Sequence, residues 1–155
     1  MTFNPIHAMA LKSVQIDIPA QTIASSTTLT LGSITDSSVV TVSGDIIVLP
    51  TGRDYFLTAS INASQGSGNN NEFSFINFAD GTTFSNQAKA FGFYTTSTTN
   101  ANTYSGNVAM IAVNLASPLQ VQLKKTIHSA STSIYKDNAN AYVANSSITI
   151  FYTDN

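Results

Sequence analysis

The sequence predicts an all-β protein, an antiparallel two-sheet sandwich of roughly eight to ten strands with a jelly roll as the leading topology. Three observations predict this fold. Charged residues make up only 9% of the 155 residues, while Ser, Thr and Asn are abundant and disfavour helices because they compete for backbone hydrogen bonds. Short segments alternate between apolar and polar residues with a period of two, which is typical of half-buried strands. No segment has a convincing helical period.

The first candidate strands precede residue 50. In "LKSVQIDIP" the residues Val14, Ile16 and Ile18 share one face, and Pro19 ends the strand. "TIASSTTLTL" and "SSVVTVS" are rich in β-branched residues and predict two further strands. "DIIVL" predicts a short apolar strand, which the turn "PTGRD" follows.

The segment after this turn, "YFLTASINA", has the clearest alternation in the chain. Its two faces predict a long strand in the middle of a sheet. One face holds Tyr55, Leu57, Ala59 and Ile61, and the other holds Phe56, Thr58, Ser60 and Asn62.

The second half of the chain predicts five more strands. "EFSFINF" and "QAKAFGFYT" are aromatic strands on either side of a turn at Asp80-Gly81. "VAMIAVNL" predicts a strand buried on both faces, and "PLQVQLKKTI" predicts an alternating one. "SSITIFYT" closes the chain with Ile148 and Ile150 facing inward. Polar loops are predicted over residues 65–71, 95–107 and 129–141.

The composition excludes several function classes. A formal net charge of -2 and a pI near 5.4 provide no basic stripe, so we expect no nucleic-acid partner. Without Cys the chain has neither a disulfide framework nor a thiolate zinc site. The start lacks the pattern of a secretory signal and no apolar run approaches about 20 residues, so we expect a protein made in the cytoplasm with no membrane partner.

The order of apolar strand, Pro/Gly turn and "YFLTASINAS", with the closing "SSITIFYTDN", resembles trimeric jelly rolls of the tumour-necrosis-factor and complement-C1q type. Compact versions with polar loops occur in virion proteins of tailed phages, such as capsid decoration proteins and head fibres. The resemblance covers residues 12 to 153. It departs from the animal members in lacking a collagen-like stalk and Cys, which disfavours a secreted signalling role.

The resemblance implies a homotrimer on the virion surface that binds the major capsid protein or another virion protein. It implies one jelly-roll domain over residues 11–155, preceded by an N-terminal arm over residues 1–10. This arm is either an element that attaches the protein to the capsid or a disordered tail. The arm residues assigned to attachment are Phe3, Pro5, Ile6 and Met9.

The resemblance also implies aromatic strands around the threefold axis. The alternative is that these rings fill the core of a single chain, as aromatic strand residues commonly do. Strand alternation lets only one face point outward. The candidate trimer-interface residues are Phe73, Phe75, Phe91, Phe93 and Tyr94.

The neighbouring charges Arg53 and Asp54 allow two interpretations. They keep charge near solvent where the chain leaves a turn, or Arg53 pairs with an acid across a subunit boundary. We favour the turn, because surface ion pairs contribute only about 0–1 kcal/mol.

A carbohydrate-binding or receptor-binding module is the alternative function. The predicted loops carry Tyr104, Tyr135 and many Asn side chains able to stack on and hydrogen-bond a host glycan. An enzyme is the third option. The two histidines, His7 and His128, do not form a metal-ligand pattern, and no nucleophile elbow or phosphate loop is present, so we predict no catalytic residue, metal or cofactor.

Overall fold

The computed structural model describes residues 11–24, 27–65, 70–79, 81, 88–91, 93–96, 102–128, 132–134 and 146–154. For strand residues 64–65, 70–71, 88–91, 93–96, 102–106, 126–128 and 132–134 it describes the backbone alone. The strands of this part are β1 (Lys12–Asp17), β2 (Gln21–Ile23), β3 (Thr41–Ser43), β4 (Ile46–Leu49), β5 (Arg53–Gln65), β6 (Asn70–Asn77), β7 (Ala88–Phe91), β8 (Phe93–Thr96), β9 (Asn102–Ala112), β10 (Leu119–His128), β11 (Thr132–Ile134) and β12 (Ser147–Asp154).

The strands form two antiparallel sheets, which confirms the predicted all-β sandwich. The seven-stranded sheet follows the order β1-β12-β5-β11-β2, with β9 on the other edge of β5 and β7 beyond β9. The long strand β5 borders both β12, through residues 53–60, and β11, through residues 63–64. The five-stranded sheet has the order β3-β4-β10-β6-β8.

Eight strands pair in a nested order. β1 pairs with β12, β4 with β10, β5 with β9, and β6 with β8. Strands of the first half of the chain thus take partners from the second half in reverse order, which is how a folded-over ribbon forms the two Greek keys of a jelly roll. The remaining strands, β2, β3, β7 and β11, are three or four residues long and extend the sheets.

The core lies between the two sheets and follows the predicted alternation. Both strongly patterned strands, β5 and β12, turn their aliphatic set inward. Burial of this apolar surface stabilises the folded chain by about 25 cal/mol per Å². Its residues in β1, β5 and β12 are Val14, Ile16, Leu57, Ala59, Ile61, Ile148 and Ile150, each no more than 3% exposed.

Loop segments cover the free edges of strands. Residues 32–35 run beside β1, with backbone hydrogen bonds from Asp17 N to the Ser33 carbonyl (2.9 Å) and from Thr35 N to the Gln15 carbonyl (2.9 Å). Residues 27–29 continue the β4 edge along β10, where Leu29 N donates to the Leu123 carbonyl at 2.9 Å. Covered edges leave fewer unpaired backbone groups for aggregation.

Three predictions about the second half were wrong. The apolar run "VAMIAVNL" is buried on one face only, because Ile111 and Val113 remain 41% and 38% exposed. Part of the predicted polar loop 95–107 is the beginning of β9, which pairs with the far end of β5, and β11 lies within the predicted loop 129–141. Pairing with a neighbouring strand outweighs polar composition, because strand formation depends more on partners than on intrinsic preference.

Candidate functional site

The outer face of the seven-stranded sheet carries an apolar row across its central strands. In register, Ser13 of β1 lies opposite Phe151 of β12, Phe151 opposite Phe56 of β5, and Phe56 opposite Ile111 of β9. Because Tyr55 and Leu57 point into the core, Phe56 between them must point outward.

This row belongs to a larger surface, which we call the apolar patch and define as Leu11, Phe56, Ile111, Val113 and Phe151. The rings of Phe56 and Phe151 stack with centroids 6.1 Å apart and an interplanar angle of 23°. A shallow groove of about 290 Å³ runs between these side chains. Leu11 is 66% exposed and Phe56 is 42% exposed. Contiguous apolar surface of this kind marks interaction sites in soluble proteins.

The outer face changes character toward the other end of the sheet. The next cross-strand row consists of Gln15, Thr149, Thr58 and Ala109, and the row after it consists of Asp17, Ser147, Ser60 and Asn107. The apolar patch is therefore confined to one end of the sheet, and side chains with hydroxyl, amide and carboxylate groups cover the other end.

A charge cluster lies at one end of the sandwich, beside the apolar patch. Asp154 of β12 accepts hydrogen bonds from Lys12 Nζ (2.5 Å) and from Arg53 Nε (2.8 Å), which belong to the strands on either side. Both cations also lie over the Tyr152 ring, at 5.8 Å and 5.5 Å from its centroid. The hydrogen bond from Lys12, followed by that from Arg53, holds the pKa of the Asp154 carboxyl below its ordinary value of 3.8.

Arg53 and Asp54 have separate partners within the chain. Arg53 pairs with Asp154, so this ion pair does not need a second subunit. Asp54 Oδ1 accepts a hydrogen bond of 2.9 Å from the backbone N of Asn114. Both charges lie at the beginning of β5, as the turn interpretation predicts, and Asp54 borders the apolar patch.

The structure places two of the predicted trimer-interface rings in the core. Phe73 and Phe75 of β6 are 1% and 0% exposed within a single chain, so they have no surface left for a partner subunit. Their assignment to the threefold axis was wrong, because the alternation of β6 turns them toward the other sheet. Phe91 lies in β7, and Phe93 and Tyr94 lie in β8, but their side chains are outside the described part.

The remaining predicted site residues lie in β9 or outside the described residues. Tyr104 lies within β9, opposite Ala63 of β5, rather than in a loop, and its side chain is outside the described part. Tyr135 and the arm residues Phe3, Pro5, Ile6 and Met9 are outside the described residues.

Sequence reasoning missed the apolar patch, although the sequence carried a signal. Phe56 interrupts the otherwise polar face of its strand, and Phe151 interrupts the outer face of the closing strand in the same way. An aromatic residue on each polar face predicts an apolar patch once the two strands are known to be neighbours.

The fold and the patch define a jelly-roll sandwich with an apolar area on the outer face of one sheet. Among the residues that the structure describes, no three His, Asp or Glu side chains come together as a metal site requires. In the same residues no helix is long and apolar enough to cross a membrane. No protein-family model matches the chain, and no curated protein matches it.

Proposed function

We propose that this chain is a structural virion protein of a tailed phage, a homotrimeric jelly roll that binds the capsid surface and stabilises the particle. The observation that carries the proposal is the apolar patch, which gives the chain a surface for self-association. The jelly-roll fold, the small number of charges and the family resemblance are compatible with a particle-bound role.

Copies of the same chain are the occupants that suit the apolar patch. Its five side chains carry no charge, so these side chains of identical copies can meet without like-charge repulsion, and the charge that borders them is that of Asp54. Burying an exposed Phe side chain completely contributes about 1.5–3 kcal/mol, and the rings of Phe56 and Phe151 are adjacent. Interfaces of obligate oligomers have apolar cores of this kind. The number of three copies comes from the resemblance.

A trimer of this type would act on the capsid by binding rather than by catalysis. Each trimer that clamps neighbouring capsid subunits adds its binding free energy to the resistance of the particle against rupture. A preorganised β-sandwich loses little conformational entropy on binding.

The first test measures the solution mass by size exclusion with light scattering. We expect a species near three times 16.4 kDa for the natural chain and a 16.4 kDa monomer for Phe56→Asp, because the new charge would be buried at the interface. Gln120→Asp is the matched control, since Gln120 is exposed on the other sheet, and it should remain trimeric. A folded natural chain that stays monomeric at every concentration tested would sink the proposal.

The second test measures binding to capsids that lack a decoration protein, prepared from the phage that encodes this chain. We expect saturable co-sedimentation and a higher temperature of capsid disruption. Deletion of residues 1–10 should abolish binding and leave the trimer intact, because the attachment element is assigned to the arm. Undiminished binding by the deletion variant would exclude the arm, whereas no binding by an intact trimer would exclude the decoration role.

A further inference from the structure

A polar groove lies on the seven-stranded sheet, in the cross-strand rows of Gln15 and Asp17 that follow the apolar patch. It has a volume of about 360 Å³, within the roughly 300–1,000 Å³ that is usual for small-ligand sites. One wall is β1 and the other is the segment 32–35, which runs beside it. The groove is lined by Gln15, Ile16, Asp17, Ser33, Thr35 and Ser147.

Hydrogen bonds fix the two walls against each other. Gly32 N donates to the Asp17 carbonyl at 2.8 Å, and Asp17 N donates to the Ser33 carbonyl at 2.9 Å. At the other end of the groove, Gln15 N donates to Thr35 Oγ1 at 2.9 Å. The lining side chains therefore stand on a paired backbone, and a ligand would not have to order a loop on binding.

Gly32 leaves room for the Asp17 carboxylate. A Cβ atom on Gly32 would lie 3.0 Å from Asp17 Oδ2 and 3.2 Å from Asp17 Cβ, closer than side chains ordinarily pack. The absence of a side chain at this position lets the carboxylate lie against the segment 32–35 at the groove. Asp17 also pairs in register with Ser147, so β1, β12 and the segment 32–35 all contribute to the site.

The chemistry of the lining selects the class of ligand. Hydroxyl groups, an amide and one carboxylate offer both donors and acceptors at short spacing. Among the described residues that line the groove, Asp17 has the only charged side chain, which disfavours anions such as phosphate. A ring bearing several neighbouring hydroxyls matches this set, because each hydroxyl can donate to one group and accept from another.

We propose that the polar groove binds one neutral sugar residue of a surface glycan, with the Asp17 carboxylate accepting hydrogen bonds from sugar hydroxyls. This site differs from the loops of Tyr104 and Tyr135 that the sequence suggests for a glycan. It does not depend on the capsid role, and it occupies different cross-strand rows from the apolar patch, so a trimer retains it.

The test is a titration of the ¹⁵N-labelled full chain with neutral monosaccharides, followed by amide NMR shifts. We expect saturable shifts of the Gly32, Ser33 and Thr35 amides with at least one sugar. Asp17→Asn should weaken this binding about tenfold, because the amide keeps one acceptor oxygen but loses the charge that strengthens hydrogen bonds from sugar hydroxyls. Gly32→Ala should also weaken it, because the added methyl group displaces the carboxylate.

The matched control is Asp36→Asn, which makes the same chemical change at an exposed residue outside the lining. Asp36 Oδ1 accepts from Ser38 N at 2.8 Å, and the Asn oxygen can keep this bond, so sugar binding should stay at the level of the natural chain. The proposal is overturned by shifts confined to other parts of the chain, by equal affinity in Asp17→Asn, or by the absence of shifts with every sugar. Light scattering on the same samples reports the trimer separately.

Discussion

Phe56 of β5 and Phe151 of β12 stack on the outer face of the sheet, with ring centroids 6.1 Å apart. Both belong to strands whose neighbouring residues, Tyr55 and Ile150, are buried in the core. The same two strands thus supply the inside of the sandwich and the centre of the apolar patch. This relationship connects the fold to the proposed self-association, because one alternation determines both the core and the apolar patch.

Self-association through the apolar patch should be insensitive to salt. The patch side chains carry no charge, so a rise from about 0.1 M to about 1 M NaCl, which shortens the Debye length from about 10 Å to about 3 Å, removes no attraction at its centre. We expect light scattering to give the same trimer mass at both concentrations. Dissociation at high salt would indicate that charged residues, and not the patch, hold the subunits together.

Tyr55→Phe should destabilise the fold modestly. Tyr55 is 2% exposed, and its hydroxyl donates to the Pro50 carbonyl at 2.9 Å, which fastens the turn before β5. Removing this hydrogen bond should lower the free energy of unfolding by about 0.5–1.5 kcal/mol, measured by urea denaturation. Tyr152→Phe is the control, since Phe keeps the ring contacts with Lys12 and Arg53. Equal losses in the two variants would contradict the role of the Pro50 hydrogen bond.

Strands with strong alternation could be predicted from the sequence, down to which residues face the core. β5 and β12 follow the prediction, because one apolar and one polar face leave a single way to lie on a core. The partners of these strands could not be predicted, since pairing joins residues as distant as Lys12 and Tyr152. The polar beginning of β9 was missed for the same reason.

The candidate site depended entirely on that long-range pairing. In the sequence alone, Phe56 and Phe151 are two separate apolar residues on otherwise polar strand faces. They form one patch because β5 and β12 are neighbours in the sheet. The polar groove is similar, because Asp17 and Ser33 meet only through a loop that runs back along β1. Conversely, the sequence suggested Phe73 and Phe75 as trimer-interface residues, but both side chains lie in the core.

Asp154→Asn should reduce stability in a manner that depends on pH. Hydrogen bonds from Lys12 and Arg53 lower the pKa of Asp154 in the folded chain below 3.8, so the unfolded chain binds a proton more readily. The stabilisation is therefore present above pH 3.8 and is lost as the pH falls through the lowered folded pKa.

The measurement is the thermal midpoint of both chains across the acidic range. Near neutral pH the variant should unfold at a lower temperature than the natural chain, and well below pH 3.8 the two midpoints should converge. High salt should also narrow the difference, because the Asp154 carboxylate is exposed and its ion pairs are screened. A constant difference at every pH would contradict the ion-pair explanation.

Lys125→Met should change stability in the alkaline range. Lys125 of β10 is 0% exposed and has the same inward parity as Val121 and Leu123, and burial lowers the pKa of its amine below 10.5 in the folded chain. Between the lowered pKa and 10.5 the unfolded chain binds more protons than the folded chain, so this group makes stability rise with pH.

Methionine has a similar length and no titrating group, so the variant should lack that rise. Denaturant unfolding across this range checks the difference: parallel stability curves would show that Lys125 keeps an ordinary pKa, and a smaller slope in the variant would show that its burial disfavours the charged amine.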